Sequence, residues 1–307
     1  MNDIKESLLM IPSGIKEGKL YSFRPNDGTG DFTVDRNSTA TYVDEDGLIK
    51  TALANVPRIE DGAILVEPQS ANFVRKSETI DYSYWNYQSE STTTTTINTT
   101  SSPDGLFNGD KLIPNIDSDE NRTGIGVVNP LDYQADQFTI ITISSFLKIG
   151  GYKIVDIGGN FGDESALINL DSKIVISQES NVIRTNIITL EDDWVRVSVT
   201  YSFQNNIGNG FLYTGIRIKK DDGSSSGYDG TSGVYIWGTQ IEVGELTSYI
   251  PTNGTTVTRL ADNISVSTPA GVTAITETID GVEQTPITTI PTTYSLPVGN
   301  INKVTML

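Results

Sequence analysis

The ten residues Trp194–Phe203, WVRVSVTYSF, decide the fold class. Val195, Val197 and Val199 alternate with Arg196, Ser198 and Thr200, a period of two that sets the valines on one face of an extended strand and the polar residues on the other. A helix cannot hold that row on one side, because its side chains repeat every 3.6 residues. Half-buried sheet is the expected outcome. The signal recurs in both directions. Upstream, FTIITISSFLKI (Phe138–Ile149) and YKIVDIG (Tyr152–Gly158) flank Gly150-Gly151 and read as a hairpin. ALINL (Ala166–Leu170), KIVIS (Lys173–Ser177) and NVIRTNIITL (Asn181–Leu190) follow, with turns at Asp171-Ser172 and Glu179-Ser180. Downstream come FLYTGIRIKK (Phe211–Lys220) and GVYIWGTQIEV (Gly233–Val243). Short β-branched strands broken by turns at roughly 8–12 residue intervals predict an all-β protein, an antiparallel β-sandwich or jelly roll.

Composition shifts divide the chain into three parts. Residues 1–62 are turn-rich, with NDGTGDF and DEDGLI framing short strands, and read as an attachment or assembly segment. Residues 63–260 carry the regular strand ladder, including the run Ser91–Thr100 with its five threonines Thr92–Thr96, which reads as a two-faced polar strand because threonine is a strong strand former. Residues 261–307 form a small β appendage around an Asp280-Gly281 hairpin. Asp3, with Glu6 three residues on, is the single plausible helix start, and an extended arm fits that segment equally well. Gly238, directly after Trp237 in a buried strand, calls for a bulge or a close backbone approach. Pro251 in Tyr249-Ile250-Pro251 is expected to end that strand.

The 307 residues contain 21 Lys+Arg, 39 Asp+Glu and neither cysteine nor histidine, giving a net charge of −18. A Ser-His-Asp triad, a Cys-His pair and a zinc site of the usual His/Cys kind are thereby excluded. The acidic balance, with no Lys/Arg-rich run, argues against nucleic acid as a partner. No apolar stretch is long enough for a membrane span, and the N-terminal residues lack the pattern of a secretory signal.

Two kinds of candidate site remain. Sugar rings stack on exposed aromatic faces, so Tyr84, Tyr87 and Tyr228 are candidate glycan contacts. Asn86, Ser83 and Asp229 beside them can hydrogen-bond sugar hydroxyls. Trp85, Trp194 and Trp237 read as core rings. The loop DDGSSSGYDG (Asp221–Gly230) offers Asp221, Asp222 and Asp229 among glycines, an oxygen-rich setting for calcium, although its spacing is not that of an EF-hand. A solvated turn is the competing reading, and no other cofactor is implied. No motif selects a catalytic carboxylate pair, so a polysaccharide depolymerase has no specific support.

Several stretches resemble a recurring type of bacteriophage virion protein. FTVDRNSTATYVDEDGLI followed by NVPRI, within Leu8–Glu60, is similar to the N-terminal segment of tail-fibre-like proteins from phages of Bacteroidetes hosts. ILVEPQSANFV (Ile64–Val74), Tyr84-Trp85, SPDGLFNGDKL (Ser102–Leu112) and VYIWGTQIEVGELTSYIPTNGTTVTRLAD (Val234–Asp262) resemble the carbohydrate-binding jelly-roll module that such proteins carry. The resemblance implies a non-enzymatic structural component on the exterior of the virion. It also implies a homotrimer, contacts with other virion proteins, and adhesion to host-surface polysaccharide. A head fibre, a capsid decoration or a tail structural protein without ligand are the neighbouring readings.

Overall fold

The computed structural model describes residues 7–80, 84–85, 93–116, 123–128, 139–159, 164–203, 213–224 and 226–307. The described residues contain strands and no helix, so none crosses a membrane as a helix. Every pair of neighbouring strands with a recorded register is antiparallel. The possible helix start at Asp3 lies outside the described residues, and Leu8–Met10 just after it is a strand.

The chain divides into two compact units, residues 71–257 and residues 1–70 with 258–307. The segments read from the sequence as an N-terminal attachment and a separate C-terminal appendage are therefore one body. Its larger sheet runs in the order Val282–Glu283, Ile275–Ile279, Gly299–Met306, Ala63–Val66, Arg58–Glu60, with Leu8–Met10 also on Gly299–Met306. Its second sheet runs Ile15–Lys16, Lys19–Leu20, Phe32–Asp35, Asn263–Ser267, Thr293–Ser295. Leu8, Phe32, Ile64, Ile264, Tyr294 and Val304, from both sheets, meet in one apolar core. The hairpin around Asp280-Gly281 is present, Ile279 pairing with Val282.

The unit spanning residues 71–257 holds the long strands. One sheet runs in the order Thr93–Thr100, Gly109–Pro114, Gly233–Val243, Thr139–Gly150, Val195–Phe203, Val182–Thr189. The other runs Gly124–Val128, Tyr213–Lys219, Ile154–Gly159, Glu164–Asn169, Ile174–Gln178. Val195, Val197 and Val199 are buried with Ile141, Ile157 and Ile216 in the core shared by the two sheets. The opposite face of that strand is buried too, with Arg196 at 8% and Thr200 at 0% exposure, so the expectation of a half-exposed sheet is corrected. Residues 245–252 supply part of that cover: Thr247 bonds to Glu242 and the Ile250 amide to Gln240.

The hairpin expected across Gly150-Gly151 is not one, and the turn at Glu179-Ser180 likewise joins strands of different sheets. Thr139–Gly150 and Ile154–Gly159 lie in different sheets, and so do Ile174–Gln178 and Val182–Thr189. In each case a turn that looks local carries the chain from one layer to the other. Gly238 behaves as expected. It has φ +60°, and one residue, Ser145, faces the pair Gly238-Thr239, because Ser144 pairs with Gln240 and Phe146 with Trp237. The strand ends at Val243, ahead of Gly244 (φ +96°), so Pro251 is not what stops it.

Candidate functional site

The aromatic candidates separate. Tyr84 is half-buried against the core of residues 71–257. Its hydroxyl accepts the Arg75 amide at 2.8 Å and donates to the Phe73 carbonyl, while its ring meets Trp85 edge-on at 5.7 Å. Trp85 is wholly buried, its indole N–H shared between the Lys76 and Thr79 carbonyls at 3.1 Å each. Asn86, Tyr87 and Ser83 lie outside the described residues. Tyr228 is 1% exposed, edge-on to Tyr152 at 5.4 Å, and donates to the Ile218 carbonyl at 3.2 Å. It offers no face to a sugar, which corrects its assignment as a stacking residue. Glycine and aspartate neighbours made it look like a loop-tip ring, whereas it is the buried anchor of its loop.

The acidic loop is occupied by its own donors. Asp229 accepts the Thr231 and Ser232 amides at 2.8 and 2.7 Å; hydrogen bonding from the Ser232 side chain, with those two amides, holds its carboxyl far below the usual range. Asp222 accepts the Ser224 hydroxyl and amide, with Lys220 Nζ at 3.5 Å. Asp221 accepts the Lys153 amide. Lys220 Nζ takes the Ser226 and Gly227 carbonyls, the kind of oxygens a calcium ion would use. Among the described residues no three acidic side chains gather as a metal site, so the proposed set Asp221, Asp222 and Asp229 is not assembled.

Charged residues in the quoted motifs meet elsewhere, in the unit of residues 1–70 and 258–307. Arg36 (from FTVDRNSTATYV), Arg58 (from NVPRI), Glu67 (from ILVEPQ), and Arg259 and Asp262 (from TRLAD) form one buried network. Asp262 Oδ1 accepts Arg36 Nη1 at 2.9 Å. Asp262 Oδ2 accepts Arg58 Nη2 at 2.5 Å and the Glu67 amide at 2.9 Å. Glu67 in turn pairs with Arg58 at 2.8 Å and Arg259 at 3.5 Å. The three guanidinium groups also bond the carbonyls of Ser38, Leu53, Thr41 and Pro68. All three arginines are essentially sealed from solvent. The arrangement ties four segments together rather than presenting a group to a substrate.

Two further features escaped sequence reasoning. Phe146, Trp237 and Tyr249 form a ring cluster with centroids 4.9–5.7 Å apart, capped by the Arg196 guanidinium 5.2 Å from the Phe146 ring. Tyr249 donates to Glu78 at 3.1 Å, and burial raises the Glu78 carboxyl above its ordinary value. The cluster is buried and seats the segment that covers the sheet. In the other unit a cleft of about 680 Å³ is lined by Ser7, Ser13, Ser22, Phe23, Arg24 and neighbours. Phe23 is 52% exposed and Arg24 is exposed beside it, so the cleft combines a ring face, a cation and hydroxyls. No protein-family model and no curated protein matches the chain.

Proposed function

We propose that this protein is a non-enzymatic structural component on the exterior of a tailed-phage virion, with residues 71–257 forming a jelly roll. The strand order of that unit carries the reading. From Gly109–Pro114 onward the chain passes to Gly124–Val128 in the opposite sheet, back to Thr139–Gly150, and across again to Ile154–Gly159. The hairpin partner Glu164–Asn169 follows, and then Val195–Phe203, Tyr213–Lys219 and Gly233–Val243 alternate once more between the layers. Those eight strands give two four-stranded sheets in the order of paired Greek keys, with Thr93–Thr100, Ile174–Gln178 and Val182–Thr189 as additions at the margins. Such modules recur in capsid and lectin-like proteins. The buried arginine network fits a part built for assembly, since it stiffens one body and leaves no reactive group exposed.

Adhesion to host polysaccharide is the accompanying proposal. Its contacts would be weak and multiplied by a homo-oligomeric array. The Phe23–Arg24 cleft and the rim at Tyr84 are the described surfaces suited to it. Electron microscopy of particles from the encoding phage, labelled with an antibody to this chain, tests the assignment. Label on the particle exterior is expected, and unlabelled particles from a lysate rich in the protein would refute it. Loss of host-cell adhesion in a Phe23→Ala, Arg24→Ala chain tests the glycan surface separately.

A further inference from the structure

One side of the 71–257 unit exposes aliphatic side chains where sheet margins normally carry charge. Ile174–Gln178 and Val182–Thr189 are the outermost strands of its two sheets, and among the described residues no strand pairs with their outer edges. All five residues of Ile174–Gln178 are exposed. Ile174, Ile176, Ile183 and Ile188 are each 48–53% exposed, and Val175 lies beside them. Thr185 Oγ1 bonds Gln178 Oε1, joining the two strands into one continuous side.

The ladders account for two of these isoleucines. Leu167 pairs with Ser177 and Ile168 with Val175, which leaves Ile176 as the extra residue of a bulge. Val182 pairs with Tyr201 and Arg184 with Thr200, which leaves Ile183 as the extra residue of a second. A bulge re-aims its side chain and blunts an edge against further strand pairing. Protected edges usually carry lysine or other charge at such places. Here both bulges carry isoleucine, so the side is shaped for side-chain packing instead of ladder extension.

Charge selects the occupant. Lys173 and Glu179, both exposed, flank the apolar strand three residues to either side of Ile176. Two copies laid antiparallel about a two-fold axis at Ile176 bring each Lys173 to the other copy's Glu179 while the isoleucines meet. That is the self-complementary pattern of an isologous contact. We infer that the chain forms a two-fold dimer through this side. The inference does not depend on the virion reading, and it gives an even-numbered assembly in place of the trimer that the resemblance implies.

Light scattering and sedimentation on the full chain test it. The native protein is expected as a dimer, and Ile176→Lys with Ile183→Lys as a monomer whose circular dichroism is unchanged and whose melting midpoint no longer rises with protein concentration. Lys173→Glu alone and Glu179→Lys alone should each weaken association about tenfold. Mixing the two single variants should restore it, because each supplies the charge that the other lacks. A monomeric native protein, a trimer indifferent to the isoleucine substitutions, or a mixture no tighter than its components would overturn the inference.

Discussion

Asp262 serves three donors from three segments: Arg36, Arg58 and the Glu67 amide. Asp262→Ala would leave two guanidinium groups short of their counter-charge in a sealed site, a loss of about 3–5 kcal/mol. The unfolding of residues 1–70 with 258–307, followed by denaturant titration, should show it, while the signal of residues 71–257 stays in place. Glu78 gives a pH-dependent counterpart. Burial lifts its carboxyl above the ordinary 4.5, against the opposing bond from Tyr249. The folded state therefore favours the protonated acid. The stability it contributes is present below 4.5 and declines as pH rises through the raised value. Glu78→Gln removes that decline, so the variant should gain on the native protein between pH 4 and pH 7 in paired melting curves. Single residues were the least legible part of the sequence. Tyr228 has polar neighbours in the chain, and the Tyr152 ring that meets it edge-on comes from the turn between Thr139–Gly150 and Ile154–Gly159, far away in sequence. Asp229 looked like a ligand because an oxygen that caps a turn and one that binds calcium share the same local sequence.

At the level of strands, periodicity was enough to locate most elements. Val195–Phe203, Gly233–Val243 and the threonine strand lie where alternation and β-branching put them. What alternation could not supply was the partner. Gly150-Gly151 announces a reversal, but whether the next strand returns to the same sheet is decided by Tyr213–Lys219, which pairs with Ile154–Gly159 from far along the chain. Gly238 was legible because its demand is local. A Cβ there would lie 2.7 Å from the Phe146 ring, on a backbone at φ +60°. Gly238→Ala should cost about 2–4 kcal/mol. Near-ultraviolet circular dichroism should also lose the signal of the Phe146–Trp237–Tyr249 cluster before the far-ultraviolet strand signal falls.

For the molecule as a whole, composition shifts put the borders of the strand ladder at 63 and 260, and the compact unit runs from 71 to 257. Those shifts missed that the flanking pieces belong together, because strand pairing between residues near 10, near 65 and near 300 leaves no trace in local composition. Residues 71–257 are contiguous and own their core, so that segment expressed alone is expected to fold, with a cooperative melt and a strand-type circular dichroism spectrum. Deleting residues 299–307 from the full chain should leave that transition and abolish the other. Gly299–Met306 is flanked in its sheet by Ile275–Ile279 and Ala63–Val66, and Leu8–Met10 pairs with it as well. During synthesis the early strands therefore leave the ribosome long before the strand that completes their sheet exists, while the inserted unit already has everything it requires. Maturation is thus ordered in time: residues 71–257 close first, and the segments on either side wait as unsatisfied sheet until Gly299–Met306 emerges.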